Sequence, residues 1–289
     1  MPPADTVVDA HVHVWNPEAV HYPWLTHDLT AIDRVFTVGD AAPELREQGV
    51  GHVVLVQAAD NRADSENMLN QALGNPEVAG VVAWVPLVSP DDTAAQLDAW
   101  RSEPVVGVRH MVHLETDPSW LLRDDVGKSL GLLADRRMTF DVSAETPTLL
   151  AHVTMLAERH PDLTIVLDHL AKPPIAALRS GHRAVWNLWA GMIAEIAQAP
   201  NVVAKVSGLN TAAGPGWTVD DLRPAVDHAL EVFGPSRLMI GSDWPLALLA
   251  ARSYTEVWTA TRDTLGGLDE AERAQVLGGT ATRVYGLAV

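Results

Sequence analysis

Two histidines separated by one residue stand in the run Val7-Val8-Asp9-Ala10-His11-Val12-His13-Val14-Trp15. A run this rich in β-branched residues reads as a strand, and residues two apart on a strand point to the same face. His11 and His13 therefore converge at the strand's C-terminal end, where they can hold a metal ion or a substrate carbonyl. Near the other end of the chain, Arg237-Leu238-Met239-Ile240-Gly241-Ser242-Asp243-Trp244-Pro245 reads as another apolar strand, ending in a carboxylate and a turn. Imidazoles and a carboxylate are the groups that polarise a carbonyl and take a proton from water. They become neighbours only if the sheet between the first and last strands closes on itself.

The intervening sequence supplies that sheet. Short β-branched or apolar runs at 52–57, 81–87, 105–110, 138–143, 164–169 and 202–207 bring the expected strands to eight. Between them lie segments with helical spacing and helix-start chemistry, such as Asp64-Ser65-Glu66-Asn67, Pro90-Asp91-Asp92-Thr93, Pro147-Thr148-Leu149-Leu150 and Asp220-Asp221-Leu222. Strands alternating with helices imply parallel pairing through right-handed crossovers. The expectation is an α/β fold, a TIM (β/α)8 barrel forming a single domain over 1–289. No low-complexity or single-sign charge run divides the chain. The stretch 16–39 is a long βα loop after strand one, placed to cover a site at that end, and 210–217 is a second after strand seven. The tail, 253–287, reads as one or two helices packed outside the barrel.

Composition narrows the function. The turn after the first strand, His13-Val14-Trp15-Asn16-Pro17, has no glycine, which argues against a dinucleotide site, and no organic cofactor is expected. With no cysteine, any metal must sit on histidine and carboxylate. A formal net charge of -17 disfavours nucleic acid and anionic membranes as partners. The segment Met1-Pro2-Pro3-Ala4-Asp5 lacks the basic and apolar regions of a secretory signal, so a cytoplasmic location is expected. Self-association into a homo-oligomer is left open.

In a TIM barrel the C-terminal strand ends line the active site. Here those ends carry His11 and His13, Gln57, Arg109 and His110, Asp141, Asp168 and His169, Lys205 and Ser207, and Asp243. A fold gains nothing by burying such groups unpaired, so their collection at one end points to function. Some have structural readings. Asp9 would lie on the His11 face but deeper in the barrel, alternation would turn Asp168 away from His169 toward the helices, and Asp141 could pair with Arg109 across adjacent strands. Trp15, Trp24 and Trp244 stand beside the expected mouth, where an aromatic plane can stack on a ring substrate.

Asp9 through Trp15, Tyr22-Pro23-Trp24-Leu25, Gly107-Val108-Arg109-His110, Leu167-Asp168-His169-Leu170-Ala171-Lys172-Pro173, Lys205-Val206-Ser207-Gly208-Leu209 and Gly241-Ser242-Asp243-Trp244-Pro245 form an ordered set. That set resembles the amidohydrolase superfamily, and within it the sugar-lactonase branch of L-fuconolactonase, L-rhamnonolactonase and 2-pyrone-4,6-dicarboxylate lactonase. The resemblance implies hydrolysis of a small-molecule lactone to its hydroxy acid, with Asp243 as general base. His11, His13, His169 and Arg109 would polarise the carbonyl, and Gln57, Trp15, Trp24, Asp141, Ser207 and Trp244 would bind substrate. It also implies either no metal or one divalent ion, zinc or manganese, on His11, His13, His169 and Asp243. Two-metal relatives resemble one another in a bridging Lys or Glu on strand four, where this chain has Arg109. A metal-dependent decarboxylase of an aromatic or unsaturated acid is the competing reading.

Overall fold

The β-branched runs form eight short strands: β1 (Val8–Val12), β2 (His52–Val56), β3 (Val78–Ala83), β4 (Val105–His110), β5 (Thr139–Val142), β6 (Ile165–Leu167), β7 (Val202–Val206) and β8 (Leu238–Ile240). These bounds come from a computed structural model that describes residues 7–289, so the segment Met1–Asp5 lies outside the described residues. All neighbouring pairs are parallel, in the order β1 to β8. The sheet closes because Asp243 N donates to His11 O at 2.9 Å and His13 N donates to Trp244 O at 2.7 Å. This is the expected TIM (β/α)8 barrel.

Helices α1 (Val38–Glu47), α2 (Arg62–Gly74), α3 (Pro90–Ala99), α4 (Asp124–Asp135), α5 (Pro147–Arg159), α6 (Ile175–Arg179), α7 (Arg183–Ile196), α8 (Leu209–Ala213), α9 (Val219–Phe233) and α10 (Tyr254–Asp263) cover the outside. Their starts follow local chemistry. The Asn61 side chain accepts from Asp64 N ahead of α2, and Thr146 accepts from Leu149 N ahead of α5, whose first residue is proline. None of the helices among the described residues is long and apolar enough to cross a membrane.

Three expectations change. β3 begins at Val78 and stops at Ala83 instead of running over 81–87, because Trp84 N is taken by Ser65 Oγ at 2.8 Å and Pro86 has no N–H for the ladder. The loop at 210–217 is partly helical, as α8. The tail does not stay outside the barrel: Ala281, Tyr285 and Leu287 pack with Val8, Ala10, Val54, Val82, Val166, Val203 and Met239 and close its lower end.

The long loop after β1 is present as expected. It is pinned at its base by paired bonds, Trp15 N to Phe36 O at 3.0 Å and Phe36 N to Trp15 O at 2.9 Å. A third long connection, after β4, contains two 3₁₀ turns, Val112–Leu114 and Trp120–Leu122.

Candidate active site

The register of β1 against β2 slips between Asp9, opposite Val53, and Val12, opposite Leu55. One extra residue in β1 makes a bulge, and bulges re-aim side chains. Asp9 therefore parts from the face of His11 and His13, correcting the strict alternation expected. Its carboxylate accepts from Ser242 N at 2.9 Å, His11 N at 3.1 Å and the Tyr254 hydroxyl of α10 at 3.1 Å, which ties the first and last strands to a helix. Burial pushes the Asp9 carboxyl up to about 6 against these bonds.

A second break in alternation follows β6. His169, Leu170, Ala171 and Lys172 all have left-handed backbone, with φ of 53, 49, 57 and 52°. None is glycine, and each such residue costs roughly 1–2 kcal/mol. The turn lets Asp168 and His169, adjacent in sequence, both reach the barrel axis, so Asp168 does not face the helices. Its Oδ2 lies 2.7 Å from Arg109 Nε, and its Oδ1 lies 3.1 Å from Lys205 Nζ and 3.3 Å from His11 Nδ1.

Arg109 and Asp141 are opposite in register on β4 and β5, yet they do not pair. Asp141 Oδ2 lies 2.6 Å from Lys205 Nζ on β7 and accepts from the Tyr285 hydroxyl at 2.6 Å. Layers inside such a barrel are built from alternate strands, which is why β4 reaches β6 and β5 reaches β7. Asp141, expected to bind substrate, is fully buried and is not among the residues that line the cleft over the site.

Above this layer Asp243 Oδ1 lies 3.8 Å from His11 Nε2, 3.5 Å from His13 Nε2 and 3.9 Å from His169 Nε2, and the two strand-one Nε2 atoms are 3.1 Å apart. His13 Nδ1 donates to Val56 O at 2.8 Å, leaving its Nε2 lone pair directed at the site. His169 Nδ1 meets Ser207 Oγ at 2.9 Å. Ser207, expected at the substrate, thus orients His169. Burial lowers His169 to about 4, so it is neutral at pH 7. Burial also disfavours charge on Asp243, but the surrounding His169, His13 and His11 outweigh it and hold the carboxyl below the usual carboxylate range. Glycine is required next to this group: Gly208 has φ +60°, and a Cβ there would sit 2.8 Å from both Asp243 Oδ2 and His169 Nδ1.

The cleft over the site has a volume of about 200 Å³ and is lined by His13, Trp24, Ala58, Arg109, Met111, His113, Ser143, Glu145, His169, Lys172 and Leu246. His11 and Asp243 are fully buried behind this lining, in reach of its His13 and His169 side chains. Of the residues expected to bind substrate, Trp24 lines the cleft, held by its Nε1 bond to Ala58 O at 2.6 Å. The others stand back. Gln57 donates to Asp60 Oδ1 at 2.7 Å, Trp15 Nε1 bonds Arg34 O at 2.9 Å, and Trp244 packs edge-on against Phe36. His113, Ser143, Glu145 and Lys172 were not anticipated as site residues. Lys172 stands in the Leu167-Asp168-His169-Leu170-Ala171-Lys172-Pro173 segment; His113 comes from the β4 connection, which has no periodic signal to read.

The donor set fits a divalent ion. His11, His169 and Asp243 each present a ligand atom within 4.8 Å of the others, and both Asp243 oxygens are buried with no hydrogen-bond partner. Two imidazole nitrogens and a carboxylate suit zinc-type coordination, and an unpartnered buried carboxylate calls for a cation; His13, also expected as a ligand, is not part of this group.

A closed parallel barrel with strand-one histidines and a strand-eight aspartate at its upper mouth is an amidohydrolase architecture. The sequence profile of that family, Amidohydro_2 (amidohydrolase), matches residues 8–287, and the chain belongs to the family. It is similar to L-fucono-1,5-lactonase of Burkholderia multivorans, with 34% identity over 97% of this chain and 96% of that one. Against L-fucono-1,5-lactonase of Burkholderia ambifaria the identity is 35%, over 96% and 94%. A crystal structure of an amidohydrolase from Burkholderia multivorans with bound zinc superposes with a TM-score of 0.90, at 32% identity and covering 98% and 99% of the two chains.

Proposed function

We propose that the protein hydrolyses a sugar lactone, an aldono-1,4- or 1,5-lactone, to the hydroxy acid by direct attack of water. The observation that carries this reading is the buried Asp243 carboxylate, ionised and without a hydrogen-bond partner, with the imidazoles of His11, His13 and His169 around it and the Arg109 guanidinium in the adjoining cleft. Asp243 accepts a proton as water adds to the carbonyl carbon. The carbonyl oxygen gains negative charge, and Arg109 is placed to stabilise it: its Nε is held by Asp168 and its Nη1 donates to Gln57 O at 2.9 Å, so the guanidinium is fixed before substrate arrives. When the tetrahedral species collapses, the ring C–O bond breaks and the proton on Asp243 goes to the leaving alkoxide. No covalent intermediate is required.

His11, His169 and Asp243 would hold a zinc or manganese ion if one binds; such an ion polarises the carbonyl and lowers the pKa of bound water. The similarity to two proteins named L-fucono-1,5-lactonase supports the substrate class.

The test is proton release, followed with a pH indicator, over a panel of aldonolactones of both ring sizes and both sugar series, before and after chelation. Acid production from a subset, lost in Asp243→Asn with the melting profile intact, is the expected result. Acid from no lactone would reject the reading, and CO2 release from an aromatic acid would favour a decarboxylase. Retention of most activity in Asp243→Asn would reject Asp243 as the base.

A further inference from the structure

Two charged side chains on the cleft wall, Glu145 and Lys172, are given no contact with substrate in the chemistry above, although the Lys172 charge helps to hold the Asp243 carboxyl down. They stand together, since both also wall an adjoining apolar hollow, yet the ion pairs of the described residues leave both out. Each is fixed from behind. Lys172 ends the left-handed turn that begins at His169 and is followed by Pro173 and Pro174. His169 alone would not need that turn prolonged for three further strained residues; the prolongation delivers Lys172 to the same cleft, and strain of this kind gathers where a site demands it. Glu145 directly precedes Thr146, the cap of α5, and its Oε1 accepts from Ser143 Oγ at 3.1 Å. The wall is continued by His113, which lies within electrostatic reach of Glu145, Lys172 and Arg109.

A carboxylate only accepts hydrogen bonds and an ammonium only donates them. One partner satisfies both at once: a pair of neighbouring hydroxyls, each of which donates and accepts. We propose that Glu145 and Lys172 form a subsite for a vicinal diol, and that they select uncharged polyhydroxy lactones over lactones bearing a carboxylate. An unsubstituted ring offers neither group a hydroxyl; Glu145 is exposed and Lys172 half-buried, so water takes the hydroxyls' place and the discrimination is worth the hydrogen bonds forgone, about 1–2 kcal/mol. A carboxylated ring finds Lys172 and Arg109 on the same wall, so what opposes it is Glu145, whose charge offsets that of Lys172. This selection rests on the lactonase reading.

The probes are the aldonolactone turned over best in the panel, δ-valerolactone as the ring without hydroxyls, and glucaro-1,4-lactone as a ring system with a free carboxylate. The ratio of kcat/KM for aldonolactone over δ-valerolactone is expected to fall tenfold or more in both Glu145→Ala and Lys172→Ala. In Glu145→Gln the ratio of glucarolactone over aldonolactone is expected to rise. A merely structural role would lower all substrates together and leave the ratios where they were, which would overturn the subsite while the lactonase reading stands. If the wild type hydrolyses no lactone, that reading fails, and the subsite is judged by calorimetry with the matching aldopyranose. Binding weakened tenfold in Glu145→Ala supports it; equal binding, or none to the wild type, overturns it.

Discussion

Lys205 is a lysine with no exposed surface, and the structure predicts what its loss costs. Its Nζ lies 2.6 Å from Asp141, 3.1 Å from Asp168 and 3.1 Å from His11 Nδ1, and Arg109 completes a group of two cations and two carboxylates. Burial raises the Asp141 carboxyl, and the ammonium beside it opposes the rise. Lys205→Met leaves two buried carboxylates facing a single guanidinium, and breaking one partner out of a buried pair costs about 3–5 kcal/mol. Against a total stability on the order of 5–15 kcal/mol, that lowers the melting temperature by roughly 10 °C. Asp141→Asn removes one of those carboxylates, so in the double variant Arg109 and Asp168 remain as a balanced pair. The double variant should therefore be more stable than the sum of the singles allows, by about 2 kcal/mol. Equilibrium urea unfolding of the four proteins measures this. Additivity within about 0.5 kcal/mol would refute the reasoning, because it would mean that Lys205 and Asp141 do not share one electrostatic balance.

Gly208→Ala forces a Cβ to within 2.8 Å of Asp243 Oδ2 and His169 Nδ1, so these groups must separate from it by about half an ångström; a misplacement of about 1 Å costs a hundredfold, and half of that is expected to cost about tenfold in kcat/KM. The left-handed backbone alone costs an alanine roughly 1–2 kcal/mol and the close contact adds to it, so the melting temperature should fall by several degrees, and undiminished turnover would contradict the packing described. Asp9, pushed up to about 6, binds a proton more tightly in the folded than the unfolded chain, so its contribution is present at low pH and is lost as pH rises from about 4 to about 6. That loss is at most about 3 kcal/mol. Asp9→Asn keeps a carbonyl for Ser242 N and His11 N and should flatten the urea midpoint across this window, whereas an unchanged slope would assign the pH dependence elsewhere.

The eight strands were legible because parallel, doubly buried strands are written as β-branched runs, and only β3, whose apolar run continues past its ladder to Leu87, was misplaced. His11, His13, His169, Arg109 and Asp243 were legible as strand-end polar residues. What alternation could not supply was the direction of side chains where the backbone leaves the regular strand. The bulge in β1 moves Asp9 outward and the left-handed turn brings Asp168 inward. Nor could neighbouring register identify the partners of Arg109 and Asp141, because the interior layers join alternate strands. Glu145 and Lys172 escaped for a related reason: their place depends on how a cap and a turn fix two loops in space.

The seam between β8 and β1 is stitched by the main chain of His11, His13, Asp243 and Trp244 themselves. Locking the cylinder and assembling the reactive centre are consequently a single event. A partly folded barrel that has not yet joined its two ends has no half-built centre with residual turnover. Recovery of activity during refolding should then keep time with the last topological step, making catalysis a clock for ring closure. The same coupling tells an engineer what to spare: changes in the outer connections leave the join alone, while weakening the main-chain bonds between β8 and β1 loosens the two halves of the centre from one another.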